Sequence, residues 1–194
     1  MNGSEKEQMM SMMMSINYAI LGILSTQSLT GYDLKKIIQD SSFMYWSGNN
    51  NQIYKALVEL LNLGFVTNEI QMQESSPAKK IYTITAEGIV ELKKWVLSTP
   101  EIAEIKKTFL IQLAWSDLLN DEELKSLLLA YEEQIKMQII LEKEKSRRGR
   151  FSPARSKREL TMWEMIQENI ISSYENELNW LEKIRNKLSS DFQQ

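Results

Sequence analysis

The sequence predicts a mainly α-helical protein with one small β-hairpin, and three observations carry that prediction. Apolar residues recur at helical spacing through most of the 194 residues. Glycine and proline, at 7 and 3, are scarce, as long uninterrupted helices require. A single stretch, residues 65–84, switches to a period near two and back. Hydrophobic residues at 43% and charged residues at 25% are ordinary for a globular chain.

Character changes near Pro100. Residues 1–100 hold six of the seven glycines and all the short patterns, whereas residues 101–194 hold two long helical patterns joined by a basic loop. The first helix is expected over Ser15–Ser25, with Ile16, Ala19, Ile20, Ile23 and Leu24 on one face. Ser28 or Thr30 caps a second helix running to Asp40, with Leu34, Ile37 and Ile38 inward. After a loop through Ser47, Gly48 and Asn49, a third helix over Asn50–Leu63 buries Ile53, Leu57, Leu60 and Leu61. Gly64 stands where a helix end needs positive φ. Phe65–Met72, with Val66 and Ile70 as its apolar alternates, and Ile81–Ile84 read as strands around a polar tip carrying Pro77. Thr85 then caps a fourth helix, Ala86–Leu97, with Ile89, Leu92 and Val96 inward. Three helices, a ribbon and a helix make the plan of a winged helix-turn-helix.

What is missing narrows the chemistry. Histidine is 0 and cysteine is 0, which removes the usual general base, thiol nucleophiles, disulfides and the common zinc ligands. No phosphate-cradling glycine loop occurs. The carboxylate neighbours Glu122-Glu123 and Glu132-Glu133 do not face each other on a helix and read as solvated rims. No enzyme, metal or cofactor is expected. The polar, acidic start lacks the pattern of a signal peptide, and no apolar run reaches the ~20 residues of a membrane span. A cytoplasmic protein without membrane partners is the expectation. The Met9–Met14 cluster offers thioethers but no cysteine or histidine to join them, so residues 1–14 read as a Met-rich helical arm.

Several pieces, in this order, resemble the PadR family of transcriptional regulators: Ile20-Leu-Gly-Ile-Leu24, Leu29-Thr-Gly-Tyr-Asp-Leu-Lys-Lys36, Gln52-Ile-Tyr-Lys-Ala-Leu57, Gly64-Phe-Val66 and Tyr82-Thr-Ile-Thr-Ala-Glu-Gly88. The remainder resembles, in architecture, the helical C-terminal domain of the subgroup that contains virulence-gene activators. The resemblance implies a winged-helix DNA-binding domain over 1–100, a helical dimerisation domain over 101–194, and repression by occluding a promoter. The wing departs from the family pattern, because its tip reads SSPAKK without the usual glycine and arginine. Eight lysines face nine carboxylates before Pro100, and the first arginine of the chain is Arg147. A winged-helix scaffold that binds protein is therefore the rival reading.

DNA contacts are expected from Thr30, Tyr32 and Lys35, from Asn49, Asn50, Asn51, Gln52, Tyr54 and Lys55 of the third helix, and from Lys79 and Lys80 of the wing. Asparagine and glutamine amides match adenine edges, and lysine suits guanine or phosphate. Glu59 would repel phosphate and is expected to point to solvent. The basic stretch Lys143–Arg158 reads first as a loop balancing acidic helix faces and second as a backbone contact. A homodimer is expected along two stripes. One is Leu124, Leu128, Tyr131 and Ile135; the other is Trp163, Ile166, Ile170, Tyr174, Leu178, Leu181 and Leu188 on a helix of roughly 30 residues. Trp95 is the candidate for stacking an effector, of which nothing in the sequence selects the identity.

Overall fold

The computed structural model of the chain describes residues 16–44, 51–72, 78–102, 107–148, 151–153 and 155–191. The Met-rich arm, Asn49 and Asn50, the hairpin tip at 73–77 and Arg150 lie outside them. Two compact units form, Met1–Pro100 and Glu101–Gln194. No helix of the described residues is long and apolar enough to cross a membrane.

In the first unit, α1 is helical at residues 16–24 and is followed by β1 (Leu29–Thr30), α2 (Gly31–Asp40) and α3 (Asn51–Asn62). Then come β2 (Val66–Gln71), β3 (Lys79–Ile84) and α4 (Ala86–Val96). The apolar stripes meet in a core of Ile16, Ile20, Leu21, Ile23 and Leu24, Leu34 and Ile38, Ile53, Leu57 and Leu60, with Val66 and Tyr82 from the sheet. The strands run β1-β3-β2, all pairs antiparallel, with Leu29 opposite Tyr82 and Val66 opposite Ile84. The two-residue β1 is too short to show a period and was not predicted. It ties the start of α2 to the wing, and Ser28 Oγ lies 2.7 Å from Thr83 Oγ1 at the same edge.

Gly64 has φ of 73°, the left-handed turn its position demands. Just beyond it two turns lock together. Thr85 N donates to the Phe65 carbonyl at 3.0 Å, and Thr85 Oγ1 donates to the Gly64 carbonyl at 2.8 Å while accepting from Gly88 N at 3.0 Å. A Cβ on Gly88 would lie 2.2 Å from the Phe65 carbonyl oxygen. The glycine that looks like a weakness in the first turn of α4 is thus what lets that turn sit on the end of α3.

Two expected apolar placements, on β2 and on α4, fail in this unit. Ile70, counted as an apolar alternate of β2, is 68% exposed, because the sheet's apolar face is covered only at its Val66 end. On α4 the inward side is Gly88, Glu91 and Leu92, whereas Ile89 and Val96 face outward. The Thr85–Gly88 lock fixes the rotation of the helix, and the apolar pattern alone does not reveal that.

The second unit holds α5 (Thr108–Ala114), one 3-10 turn at Ser116–Leu118, α6 (Asp121–Arg147) and α7 (Lys157–Asp191). Asn120 and Glu123 form a reciprocal capping box: Asn120 Oδ1 accepts from Glu123 N at 3.0 Å, and Glu123 Oε2 accepts from Asn120 N at 2.9 Å. Glu123, exposed as a solvated rim should be, also serves as a cap. The 35-residue α7, about 52 Å at 1.5 Å per residue, runs antiparallel to α6. Gln167 Nε2 reaches the Glu142 carbonyl, while Arg185 pairs with Glu132.

Packing between these helices places much of the two predicted stripes within one chain. Leu128, Ile135 and Leu181 are buried with Phe109 in the core of one chain, and Leu124, Tyr131, Tyr174, Leu178 and Leu188 pack against that core. The α6 stripe and the second half of the α7 stripe thus pack on each other within one chain, with Leu128, Ile135 and Leu181 fully buried and the rest half-buried. Trp163 and Ile170 are half-buried, Ile166 is exposed, and the Phe151 ring meets Trp163 edge-on at 6.1 Å. The outward apolar side chains include Ile166 with Leu160, Met162 and Met165 on α7, and Leu129, Met137, Ile140 and Leu141 on α6.

Two tests follow from this packing. Gly88→Ala should lower stability by about 1–3 kcal/mol in chemical denaturation, opposite to the ~1 kcal/mol that alanine adds in an unconstrained helix. A stabilised variant would show that the close approach is not constraining. Tyr131 has its phenol pushed up to about 12 from 10.0, by burial and then by its 3.0 Å hydrogen bond to Glu177. Above pH 10 the unfolded chain loses this proton first, so the contribution is full below about 10 and disappears as pH rises through 12. Urea midpoints between pH 9 and 12 should fall less steeply for Tyr131→Phe than for the native chain; parallel profiles would rule the linkage out.

Candidate nucleic-acid interface

Helix α3 turns four residues outward at helical spacing, Asn51, Tyr54, Lys55 and Val58, while Ile53, Ala56, Leu57 and Leu60 hold it to the core. Asn51 and Gln52 occupy its first turn, Asn51 exposed and Gln52 half-buried. Val58, 57% exposed, belongs to the same face and is absent from the predicted set. Its position one turn beyond Tyr54 was the available signal, since a methyl-bearing side chain there suits a thymine methyl.

The preceding helix supports α3 from its own N-terminus. Thr30 Oγ1 accepts from Asp33 N at 3.1 Å and donates to Asp33 Oδ2 at 2.6 Å, so of the two expected caps it is Thr30 that caps α2. Tyr32 and Lys36 are exposed and Lys35 is half-buried. A Cβ on Gly31 would stand 2.9 Å from Tyr54 Cε1 and 3.5 Å from Leu57 Cδ1. The glycine of the LTGYD piece therefore seats the Tyr54 ring.

On the wing, Lys79 and Lys80 open β3 opposite Gln71 and Ile70, both lysines exposed. Lys80 Nζ lies 5.6 Å from the Tyr82 ring centroid, a cation–π distance. Glu59 departs from expectation. It turns back into the unit, where its Oε2 accepts from Asn17 Nδ2 at 3.1 Å.

In the basic stretch, five cations meet carboxylates among the described residues. Arg147 grips Glu144 through Nε and Nη2 at 2.8 and 2.9 Å, Arg148 Nε joins at 2.8 Å, and the carboxyl is held at about 2 by those two hydrogen bonds. Lys145 pairs with Glu142 at 3.0 Å, Arg155 with Glu159, and Lys143 with Glu175 at 3.7 Å. These are loop and helix charges neutralising one another, the first of the two readings of this stretch. Trp95 stacks on Tyr18 with centroids 4.6 Å apart and planes 10° from parallel. Tyr18 Oη in turn donates to Glu91 at 2.9 Å, and burial followed by that bond raises its pKa. One face of the Trp95 ring is already occupied.

Two family models account for most of the sequence: the transcriptional regulator PadR-like family over residues 20–94 and the virulence activator alpha C-terminal domain over residues 105–189. Residues 20–94 thus carry a domain of the transcriptional regulator PadR-like family. It is 33% identical over 113 residues to the negative transcriptional regulator PadR of Bacillus subtilis, a match spanning 58% of this chain and 62% of that protein, just under two thirds. The structure of Bacillus subtilis PadR in complex with operator DNA superimposes with a TM-score of 0.75 at 26% identity, covering 87% of this chain and 96% of that one. A PadR-like regulator from Bacillus cereus gives 0.68 at 26% identity, covering 89% and 94%.

In this PadR-like domain the Gly31–Tyr54 approach makes a direct prediction. Gly31→Ala should displace the Tyr54 ring, changing its fluorescence environment or NMR shifts, while leaving the fold intact because Tyr54 sits at the surface. A variant with an unmoved Tyr54 would mean that the ring is not seated by residue 31.

Proposed function

We propose that the chain is a cytoplasmic DNA-binding transcriptional regulator, acting as a repressor that occludes a pseudo-palindromic promoter site as a homodimer. The observation that carries this reading is the outward face of α3, with amide, phenol, ammonium and methyl groups in one stripe and no carboxylate among them. Its similarity to a regulator solved on operator DNA supports the same reading. Asn51 and Gln52 have the amides for adenine edges, and Lys55, Lys79 and Lys80 supply charge for phosphate or guanine. Outward apolar side chains on α6 and α7, such as Met137, Ile140, Met162 and Met165, give a second copy a surface to cover. Two copies related by a two-fold axis would put their α3 helices about 34–36 Å apart, in successive major grooves.

Fluorescence anisotropy on the DNA upstream of its own gene tests the proposal. Gln52→Ala should cost about 1–3 kcal/mol on the best site and relax preference at one position per half-site. Lys55→Ala should either relax preference at a guanine or lower affinity evenly and flatten the salt slope by about one. If neither change alters binding, α3 does not read DNA and a protein-binding winged helix takes its place. Light scattering at micromolar concentration should give twice the chain mass; a stable folded monomer would remove the two-fold site.

A further inference from the structure

Among the carboxylates of the first unit, Glu59 occupies the most consequential position for binding a polyanion. It lies one helical turn beyond Lys55 on α3, the i,i+4 spacing at which lysine and glutamate ordinarily pair. Yet Lys55 makes no ion pair among the described residues, because Glu59 accepts instead from Asn17 of α1 at 3.1 Å. Asn17 is 8% exposed, and its Oδ1 is buried with no hydrogen-bond partner. A buried amide half satisfied is costly and needs a compensating role. The carboxylate also fixes which way the amide faces, since only the nitrogen donates to it.

We propose that Asn17 is a positioning residue for DNA binding: it holds the half-buried Glu59 carboxylate against α1 and so leaves the Lys55 charge unneutralised for the nucleic acid. This rests on the DNA-binding reading above. A neutral donor suits the task. A lysine or arginine at residue 17 would bury a charge, and an apolar residue would release Glu59 toward Lys55. Released, the carboxylate would cancel one positive charge on the reading face and stand one turn from the phosphates that Lys55 approaches.

The experiment is a set of DNA titrations at several salt concentrations, with melting curves as the check on folding. Asn17→Ala should weaken binding about tenfold and flatten the salt slope by about one, the signature of one lost phosphate contact. Adding Glu59→Gln to that variant should restore both quantities. Glu59→Gln alone should change affinity less than twofold, because the native carboxylate is already withdrawn. In a Lys55→Ala background, Asn17→Ala should have little further effect. Native chain that binds no DNA overturns the functional reading and this proposal together. Native chain that binds, with Asn17→Ala unchanged or not rescued by Glu59→Gln, overturns this proposal alone. Should Asn17→Ala fail to fold, Glu59→Gln alone still decides: a large gain in affinity would mean that the carboxylate already opposes DNA.

Discussion

Between the end of α3 and the start of α4 there is room for a backbone carbonyl and nothing more. The Phe65 oxygen occupies the place a side chain of residue 88 would take, and it accepts the Thr85 N–H there. Because Thr85 also grips the Gly64 carbonyl and caps α4, one residue fixes three things. It sets the exit from α3, the base of the wing and the rotation of the helix that closes the unit. Shifting α4 by one position would turn Leu92 out and break the cap. The direction in which α3 presents Asn51, Tyr54, Lys55 and Val58 depends on this junction as much as on the core beneath.

Legibility in the sequence follows the range of the forces involved. Local signals were readable: Gly64 at a helix end, Thr85 and Thr30 as caps, the α3 pattern within one residue at each end, and a ribbon bounded by polar residues. Each is decided by groups a few residues apart. What escaped depends on contacts distant in sequence. Glu59 turns inward because of Asn17, 42 residues away. Ile89 and Val96 looked inward on periodicity, but α4 is rotated by a lock whose other half lies at Gly64 and Phe65.

The C-terminal unit shows the same limit on a larger scale. A long apolar stripe announces only that something must cover it. On α6 and the distal half of α7 the cover comes from the chain itself, with Phe109 stacked on Tyr131 and edge-on to Trp180 between them. Arginines and lysines then clamp carboxylates across or along the helices: Arg185 to Glu132, Lys107 to Glu177, Lys136 to Glu132. The side chains left outward are methionine-rich, and methionine fits irregular partner surfaces better than branched residues do.

The two units handle charge in opposite ways, and this bears on how a chain of net charge −3 presents a surface to a polyanion. In the C-terminal unit Glu132, Glu142, Glu144, Glu159 and Glu177 are each met by a cation. In the N-terminal unit three carboxylates accept from neutral donors instead: Asp33 from Thr30, Glu59 from Asn17 and Glu91 from Tyr18. A hydroxyl or an amide satisfies the oxygen without consuming a lysine. Lys35, Lys36, Lys55, Lys79 and Lys80 are then without ion pairs among the described residues, and Lys94, at 3.8 Å from Glu91, is the exception. Net charge counts every carboxylate equally, whereas the field near α3 and the wing weights those that reach the surface. Neutral donors placed against acidic side chains therefore change the surface that nucleic acid meets without adding a single basic residue.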